Sequence, residues 1–198
     1  MTDRDPVPQG GSDPVMHRSP GKTEDILLIQ DTDGGNNMME EITLKPIGII
    51  YTQFKEPAGM PIQSSAAEGI RGRIELEEQY VPGLADLDGF SHIYLLYHLH
   101  LSESYSLRVI PFLDNRERGV FATRAPRRPN PIGLSVVKLN SISANILEIE
   151  NVDIVDGTPL LDIKPYIPEM ESTDQYRIGW LTGRTDAITS NTADERFK

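Results

Sequence analysis

A series of short β-rich runs, separated by proline and glycine, dominates the chain from Ile42 onward. Seven such runs with frequent turn residues between them favour an all-β fold, either a barrel or a sandwich. No glycine-rich GxGxxG turn occurs, which disfavours a doubly wound nucleotide-binding fold. We expect only a few short helices, one of them around residues 84–87. The predicted strands are 42–51, 72–76, 92–100, 119–124, 135–142, 146–155 and 160–166.

Residues 1–41 differ in composition from the rest of the chain, because Pro, Gly, Ser, Asp and Asn dominate them. Such a segment buries too little apolar surface to fold, and we predict a disordered acidic extension. Alternatively, the biological start is Met38 or Met39, immediately before the first strand. We expect one β domain over 42–184 and a flexible polar tail over 185–198.

Composition excludes several classes of protein. The chain of 198 residues has no cysteine, so it has neither a disulfide framework nor a thiolate metal site. No apolar run approaches the roughly 18 residues of a membrane span. The N-terminus lacks the pattern of a signal peptide, so we expect a cytoplasmic protein without a membrane partner.

The net charge of −11 is unevenly distributed. Residues 1–41 contribute −6 of it, since nine Asp and Glu outnumber three Lys and Arg there. Between Arg108 and Arg128, six arginines oppose only Asp114 and Glu117. Phosphate binding depends on local Lys and Arg density, so the acidic total is compatible with an RNA partner.

The most unusual segment is 121–135, in which three prolines and a glycine enclose three arginines. Each proline fixes its own φ angle and pushes the preceding residue toward extended geometry, which constrains Asn130 from both sides. Gly133 then permits a sharp turn or the close approach of a ligand. A stiff loop of this kind loses little entropy on binding, although an ordinary proline-rich connection with solvated arginines is an equal alternative.

Two further segments contain side chains suited to chemistry. In 151–166, Asp153 and Asp162 have apolar neighbours and need a partner or ligand if buried, whereas Asp156 precedes glycine in a good turn sequence. His92, His98 and His100 share parity along a predicted strand and would point to one face. Three histidines on one face can bind zinc, but nothing in the pattern reserves an open coordination position.

Four motifs together resemble the TsaA-like family, also called the TrmO or YaeB family, of tRNA adenine-N6 methyltransferases. The resemblance covers about residues 44–166, and its central motif is long enough to be highly specific. The motifs are Pro-x-Gln at 61–63, Phe-Ser-His at 90–92, Ala-Thr-Arg with Arg-Pro-Asn-Pro-Ile-Gly at 122–133, and Asp-Gly-Thr-Pro with Leu-Asp-Ile-Lys-Pro-Tyr at 156–166.

The resemblance implies a small β-barrel that forms a homodimer and binds S-adenosylmethionine near the dimer interface. It implies a tRNA substrate, not DNA, in which adenosine 37 of the anticodon loop already carries a threonylcarbamoyl group on N6. By motif position, the cofactor contacts are Pro61, Ile62, Gln63, His100, Leu101, Arg124, Leu134, Asp153, Ile154, Val155, Asp156, Gly157 and Thr158.

The candidates for accepting the N6 proton or orienting the base are Asp153, Asp156 and His92, and no metal is required. Arg127, Arg128 and Asn130 are candidates for substrate binding, since arginine offers a bidentate fork to carboxylate or phosphate. Ile62 stands where bacterial members often have arginine, and many of those members continue into a C-terminal domain. The alternatives are a non-enzymatic S-adenosylmethionine sensor, a zinc hydrolase built on the three histidines, and an assembly module.

Overall fold

The computed structural model describes residues 41–171 and 176–197, together with the backbone of Met16–His17. The extension predicted over 1–41 therefore lies almost entirely outside the described residues. The strands are β1 (Met16–His17), β2 (Gly48–Tyr51), β3 (Arg71–Leu76), β4 (His92–His98), β5 (Ser104–Tyr105), β6 (Arg108–Val109), β7 (Arg118–Gly119), β8 (Ile132–Ser143), β9 (Ile146–Glu150) and β10 (Thr158–Pro165).

Helical structure in the described residues is limited to segments of three to seven residues. The α-helix is α1 (Pro168–Glu171), and no helix in the described ranges is long enough to cross a membrane. The 3₁₀ turns are Ser64–Ala66, Glu78–Leu84, Leu87–Gly89, Val120–Ala122, Gly179–Leu181, Thr185–Ala187 and Glu195–Phe197. The helix predicted around 84–87 is thus replaced by two 3₁₀ turns, the first of which contains Pro82.

Six strands close into an antiparallel barrel in the order β10-β2-β3-β9-β8-β4. Closure pairs every strand on both sides, so the sheet has no free edge. The all-β prediction is confirmed, and of the two architectures that the strand count favoured, the barrel is the correct one. The two-residue connection of β8 to β9 uses Ala144 at a φ of 53°.

The barrel interior is filled by alternate residues of each strand. In β4, for example, Ile93, Leu95 and Tyr97 are buried, while the residues between them face outward. Burying one large aliphatic side chain is worth about 1.5–3 kcal/mol. The fully buried side chains include Ile50, Ile74, Ile93, Leu95, Leu147, Ile149, Ile154, Leu160 and Val137.

A long excursion, residues 99–131, leaves the barrel between β4 and β8, and the C-terminal segment 176–197 packs against it. The fully buried side chain of Asp114 forms ion pairs with Arg184 and with Arg118, each at 2.7 Å. The hydrogen bond from Arg184, supported by Arg118, holds the pKa of Asp114 well below its ordinary value. The carboxylate is therefore ionised and joins the two segments.

One prediction about these segments differs from the structure. Residues 119–124, predicted as a strand, form β7's last residue, a 3₁₀ turn and a loop. Within the segment 185–198, predicted as a tail, Ala193 exchanges backbone hydrogen bonds with Gly59 and Met60 at 2.8 and 2.7 Å. Because these partners lie more than 130 residues apart in the chain, no local pattern indicates their pairing.

Candidate ligand-binding cavity

A cavity of about 460 Å³ opens where β4 leads into the excursion. Its walls come from the loop around Met60, the ends of β4 and β8, and the link between β9 and β10. The C-terminal segment adds Ala193, Asp194 and Phe197. A volume of this size lies within the range of ordinary small-molecule sites.

The barrel's register brings two distant stretches of sequence to this cavity. On β4, Tyr97 pairs with Gly133 and His98 pairs with Ile132, so the proline-rich stretch ends beside the end of β4. The link 151–157 crosses the same end of the barrel, and Asp156 and Gly157 donate to the carbonyls of Phe54 and Ile50. As a result, both the stretch 124–134 and the stretch 153–158 contribute to one cavity.

Asp153 is the cavity carboxylate with the most unusual environment. Its Oδ1 accepts a hydrogen bond of 2.8 Å from Ser135 Oγ, which lies 3.0 Å from the hydroxyl of Tyr97. Burial raises the pKa of Asp153, while the hydrogen bond from Ser135 and the positive charge of Arg124 oppose that rise. A carboxylate with a raised pKa is a better proton acceptor than an ordinary one.

Gly133 does not form the turn that its sequence permits, because it lies within β8, where it lines the cavity and faces the ring of Tyr97. A Cβ added at Gly133 would lie 2.1 Å from Cε2 of that ring. The glycine is therefore needed for the close approach of a neighbouring side chain, and it helps to fix the ring that lines the cavity.

His100 enters the cavity just beyond β4 and is hydrogen-bonded to Thr158. Thr158 Oγ1 donates to the carbonyl of Val155 at 2.7 Å and lies 3.3 Å from Nδ1 of His100. A hydroxyl has one proton, so Nδ1 of His100 is the donor in the second contact. Burial lowers the pKa of His100, and the ring is therefore neutral at pH 7.

The arginines of the proline-rich stretch have different environments. Arg124 is exposed at the cavity and influences both Asp153 and Tyr97 electrostatically. Arg128 lines the cavity, but its Nη1 donates to the carbonyls of Val120 and Thr123 at 3.1 and 2.9 Å. Its guanidinium organises the loop. The other two substrate candidates, Arg127 and Asn130, are not among the cavity-lining residues.

Asp156 and Gly157 also lie outside the cavity wall. The Oδ1 of Asp156 accepts from the backbone of Thr52 at 2.9 Å, and its Oδ2 pairs with Lys55 at 2.5 Å. The hydrogen bond from Lys55 lowers the pKa of Asp156. This carboxylate joins the β9–β10 link to the end of β2, in keeping with the turn role that its sequence context favours.

His92 lies at the other end of β4 from the cavity. His98 is six positions further along the strand, a distance of roughly 20 Å. Its Nδ1 lies 2.9 Å from Ser91 Oγ, and its ring packs edge-on against Tyr166. Among the described residues, no three His, Cys, Asp or Glu side chains are grouped to hold a metal ion, so the zinc alternative lacks its site.

Most of the predicted cofactor contacts line the cavity: Pro61, Ile62, Gln63, His100, Leu101, Arg124, Leu134, Asp153, Ile154, Val155 and Thr158. Sequence reasoning missed Tyr97 and Ser135. A signal existed for both, since each occupies an inward position of an alternating strand and its hydroxyl then needs a partner. For Phe112 and Phe197, which stack edge-on 5.2 Å apart, no local signal exists.

The family model for the tRNA-methyltransferase O N-terminal domain, TrmO, matches residues 49–172. The chain belongs to the TrmO family. The resemblance seen in the four motifs is thereby confirmed. The TrmO match includes both stretches that meet at the cavity. It also includes the whole barrel except Gly48.

Relatives and solved structures agree with this assignment. A protein of Pyrococcus abyssi named "Probable S-adenosyl-L-methionine-binding protein" is 51% identical over 79% of this TrmO-family chain and 85% of its own. The Escherichia coli K12 protein named "tRNA (adenine(37)-N6)-methyltransferase" is 36% identical over 68% of the chain and 61% of its own.

The crystal structure of TrmO from Pseudomonas aeruginosa aligns with a TM-score of 0.61 and 37% identity. The alignment covers 71% of this chain and 63% of that one. The chain therefore spans most of the P. abyssi relative but less than two thirds of the E. coli protein and of the P. aeruginosa structure.

Proposed function

We propose that this protein is an S-adenosylmethionine-dependent methyltransferase that acts on N6 of an adenosine in tRNA. The observation that carries the proposal is the cavity shared by the stretches 124–134 and 153–158, both of which lie within the family match and contain parts of its motifs. The names of the archaeal and E. coli relatives support the cofactor and the reaction, respectively.

The residues of the cavity fit such a cofactor. S-adenosylmethionine combines a sulfonium cation, an adenosine and an amino-acid end. Asp153 supplies negative charge for a cation, Leu101 and Leu134 supply apolar surface, and Gln63 supplies an amide. We propose the predicted cofactor contacts that line the cavity as the binding set, and we assign Asp156 and Gly157 to supporting the link that contains them.

The bound cofactor supplies a methyl group already activated by the positive sulfur. Transfer of this methyl group to N6 would leave the electron pair of the carbon–sulfur bond on sulfur and would require N6 to lose its proton. The protein holds N6 in line, a contribution worth up to about 7–11 kcal/mol in well-oriented systems. Asp153, with its raised pKa, accepts the proton and passes it to solvent.

The substrate that suits this site best is adenosine 37 bearing a threonylcarbamoyl group. Its N6 is urea-like and more acidic than in adenosine, so the carboxylate of Asp153 suffices as the base. Arg124, exposed at the cavity, pairs with the threonyl carboxylate. Position 37 lies in a single-stranded loop, whose bases can be splayed into a pocket at modest cost.

We expect methyl transfer to tRNA with threonylcarbamoyl at position 37 to be at least tenfold faster than to the same tRNA without it. A site built around a carboxylate leaves its arginine unpaired when the group is missing. The measurement is mass spectrometry of nucleosides after incubation with S-adenosylmethionine. Equal rates on both tRNAs would refute this specificity, and cofactor binding without turnover on either tRNA would favour the sensor.

We also propose that the protein is a cytoplasmic homodimer, as the family resemblance implies. Leu101 and Leu134 are about half exposed at the cavity rim, at 48% and 49%, and Ile132 beside them is 40% exposed. A second copy would cover this apolar edge. Sedimentation of the purified chain at the mass of two copies is expected, and a monomer at all concentrations would contradict it.

A further inference from the structure

Three polar side chains form a continuous series of hydrogen bonds at the end of the barrel where the cavity opens. Tyr97 and Ser135 are 7% and 4% exposed, and their oxygens lie 3.0 Å apart. Ser135 then reaches Asp153 at 2.8 Å. Buried hydroxyls cost free energy unless they are hydrogen-bonded, and here each has a partner.

The number of available protons fixes which group donates in each of these hydrogen bonds. Ser135 donates its single hydroxyl proton to the carboxylate of Asp153. In the contact with Tyr97, therefore, Ser135 can only accept, and the phenol must donate. The order is Tyr97 to Ser135 to Asp153, and hydrogen bonds aligned in this way strengthen one another.

Tyr97, the first donor in this series, is kept protonated by its environment and kept in place by its packing. Burial raises the pKa of Tyr97, and the charge of Asp153 raises it further, so the phenol stays protonated. Its ring lies against the bare backbone of Gly133, where an added Cβ would approach Cζ to 2.4 Å. The phenol is therefore a hydrogen-bond donor at neutral pH.

We propose that Tyr97 and Ser135 are positioning residues, whose hydroxyls keep the Asp153 carboxylate ionised and oriented at the wall of the cavity. The inference rests on the proposed function for the identity of the reacting nitrogen. It adds to that function two buried residues without an assigned role, Tyr97 in the cavity wall and Ser135 behind it, both acting through Asp153.

Other groups that influence Asp153 stay in place when these hydroxyls are removed. Arg124 acts on it from the proline-rich stretch, and the backbone amide of Ser64 acts from the 3₁₀ turn beyond Gln63. The remaining charged or titratable side chains that line the cavity are His100, Arg128 and Asp194. A change in the Asp153 titration on removal of a hydroxyl can then be assigned to the hydrogen-bonded series Tyr97–Ser135–Asp153, called the relay below.

The test is a carbon-13 NMR titration of the Asp153 carboxyl in the full-length, cofactor-free chain. Ser135→Ala should raise its pKa by about one unit or more, because a hydrogen bond to the charged form is lost. Tyr97→Phe keeps the ring and should give a smaller rise. In the Ser135→Ala background, Tyr97→Phe should add nothing, since the relay is already broken.

Matched controls lie on the same strands. Tyr94→Phe removes a phenol from the outer face of β4, and Ser141→Ala removes an exposed hydroxyl from β8. Neither should change the Asp153 titration. If Tyr97→Phe shifts the pKa equally with and without Ser135, or not at all in either background, the relay is refuted.

The second readout is the pH profile of methyl transfer. The acidic limb of kcat/KM should move to higher pH in Ser135→Ala, in parallel with the titration. The NMR measurement needs no turnover, so the two ideas can fail separately. An unshifted pKa of Asp153 in Ser135→Ala would refute the relay. An absence of methyl transfer by the wild-type chain would refute the proposed function alone.

Discussion

Asparagine in place of Asp153 is expected to slow methyl transfer about 100-fold or more, the usual contribution of a general base. The amide keeps the size of the side chain and can still accept from Ser135, but it cannot take the N6 proton. Single-turnover methyl transfer at saturating cofactor and tRNA is the measurement. Burial raises the pKa of Asp153, so removing its charge should not lower the thermal unfolding temperature at pH 7.

The matched control is Asp162→Asn. Asp162 lies on β10 outside the cavity, is 45% exposed, and pairs with Lys164 at 2.7 Å. This variant should turn over like the wild type, because an exposed ion pair contributes little to stability. Wild-type turnover by the Asp153 variant itself would remove that residue from the mechanism.

Alanine in place of Gly133 is expected to destabilise the protein by about 1–3 kcal/mol, as overpacking in a filled core does. The new methyl group would lie within 2.1 to 2.7 Å of three Tyr97 ring atoms. Because Tyr97 is buried among the barrel strands, its ring has to be displaced, and with it the hydroxyl that contacts Ser135. Urea denaturation measures the loss of stability, and the methyl-transfer rate should fall with it.

Gly119→Ala provides the comparison. Gly119 lies at the end of β7, and a Cβ there would have no heavy atom within 4 Å. The unfolding free energy of this variant should match that of the wild type within about 0.5 kcal/mol. An unchanged urea midpoint for Gly133→Ala would show that the barrel accommodates the methyl group, and the steric account of this glycine would then be wrong.

Local chemistry in the chain accounts for most of the fold. Alternation of apolar and polar residues marks β4, β8 and β9, because successive side chains on a strand face opposite sides of the sheet. The prolines of 126–131 enforce an extended path by their own covalent geometry. The strand prediction for 119–124 was wrong, since Val120 packs with Val109 and Ala125 in a small cluster outside the barrel, whereas Phe121 is exposed.

The candidate site was likewise predictable from the sequence only in part. The motifs at 61–63, 122–133 and 156–166 were recognisable as strings, and parts of each line the cavity. Which members face inward was not readable, because it depends on how the link after β9 crosses the barrel end. Asp153 thus reaches Ser135, whereas Asp156, three residues later, pairs with Lys55.

Short-range forces, such as proline geometry, strand alternation and the need for turn residues, act within a few positions of the chain and are visible in its sequence. The relay of Tyr97, Ser135 and Asp153 and the docking of Ala193 against Met60 join residues that are 18 to more than 130 positions apart. Such contacts exist only after the barrel has closed in one register, since a shift of one residue would turn every inward side chain outward.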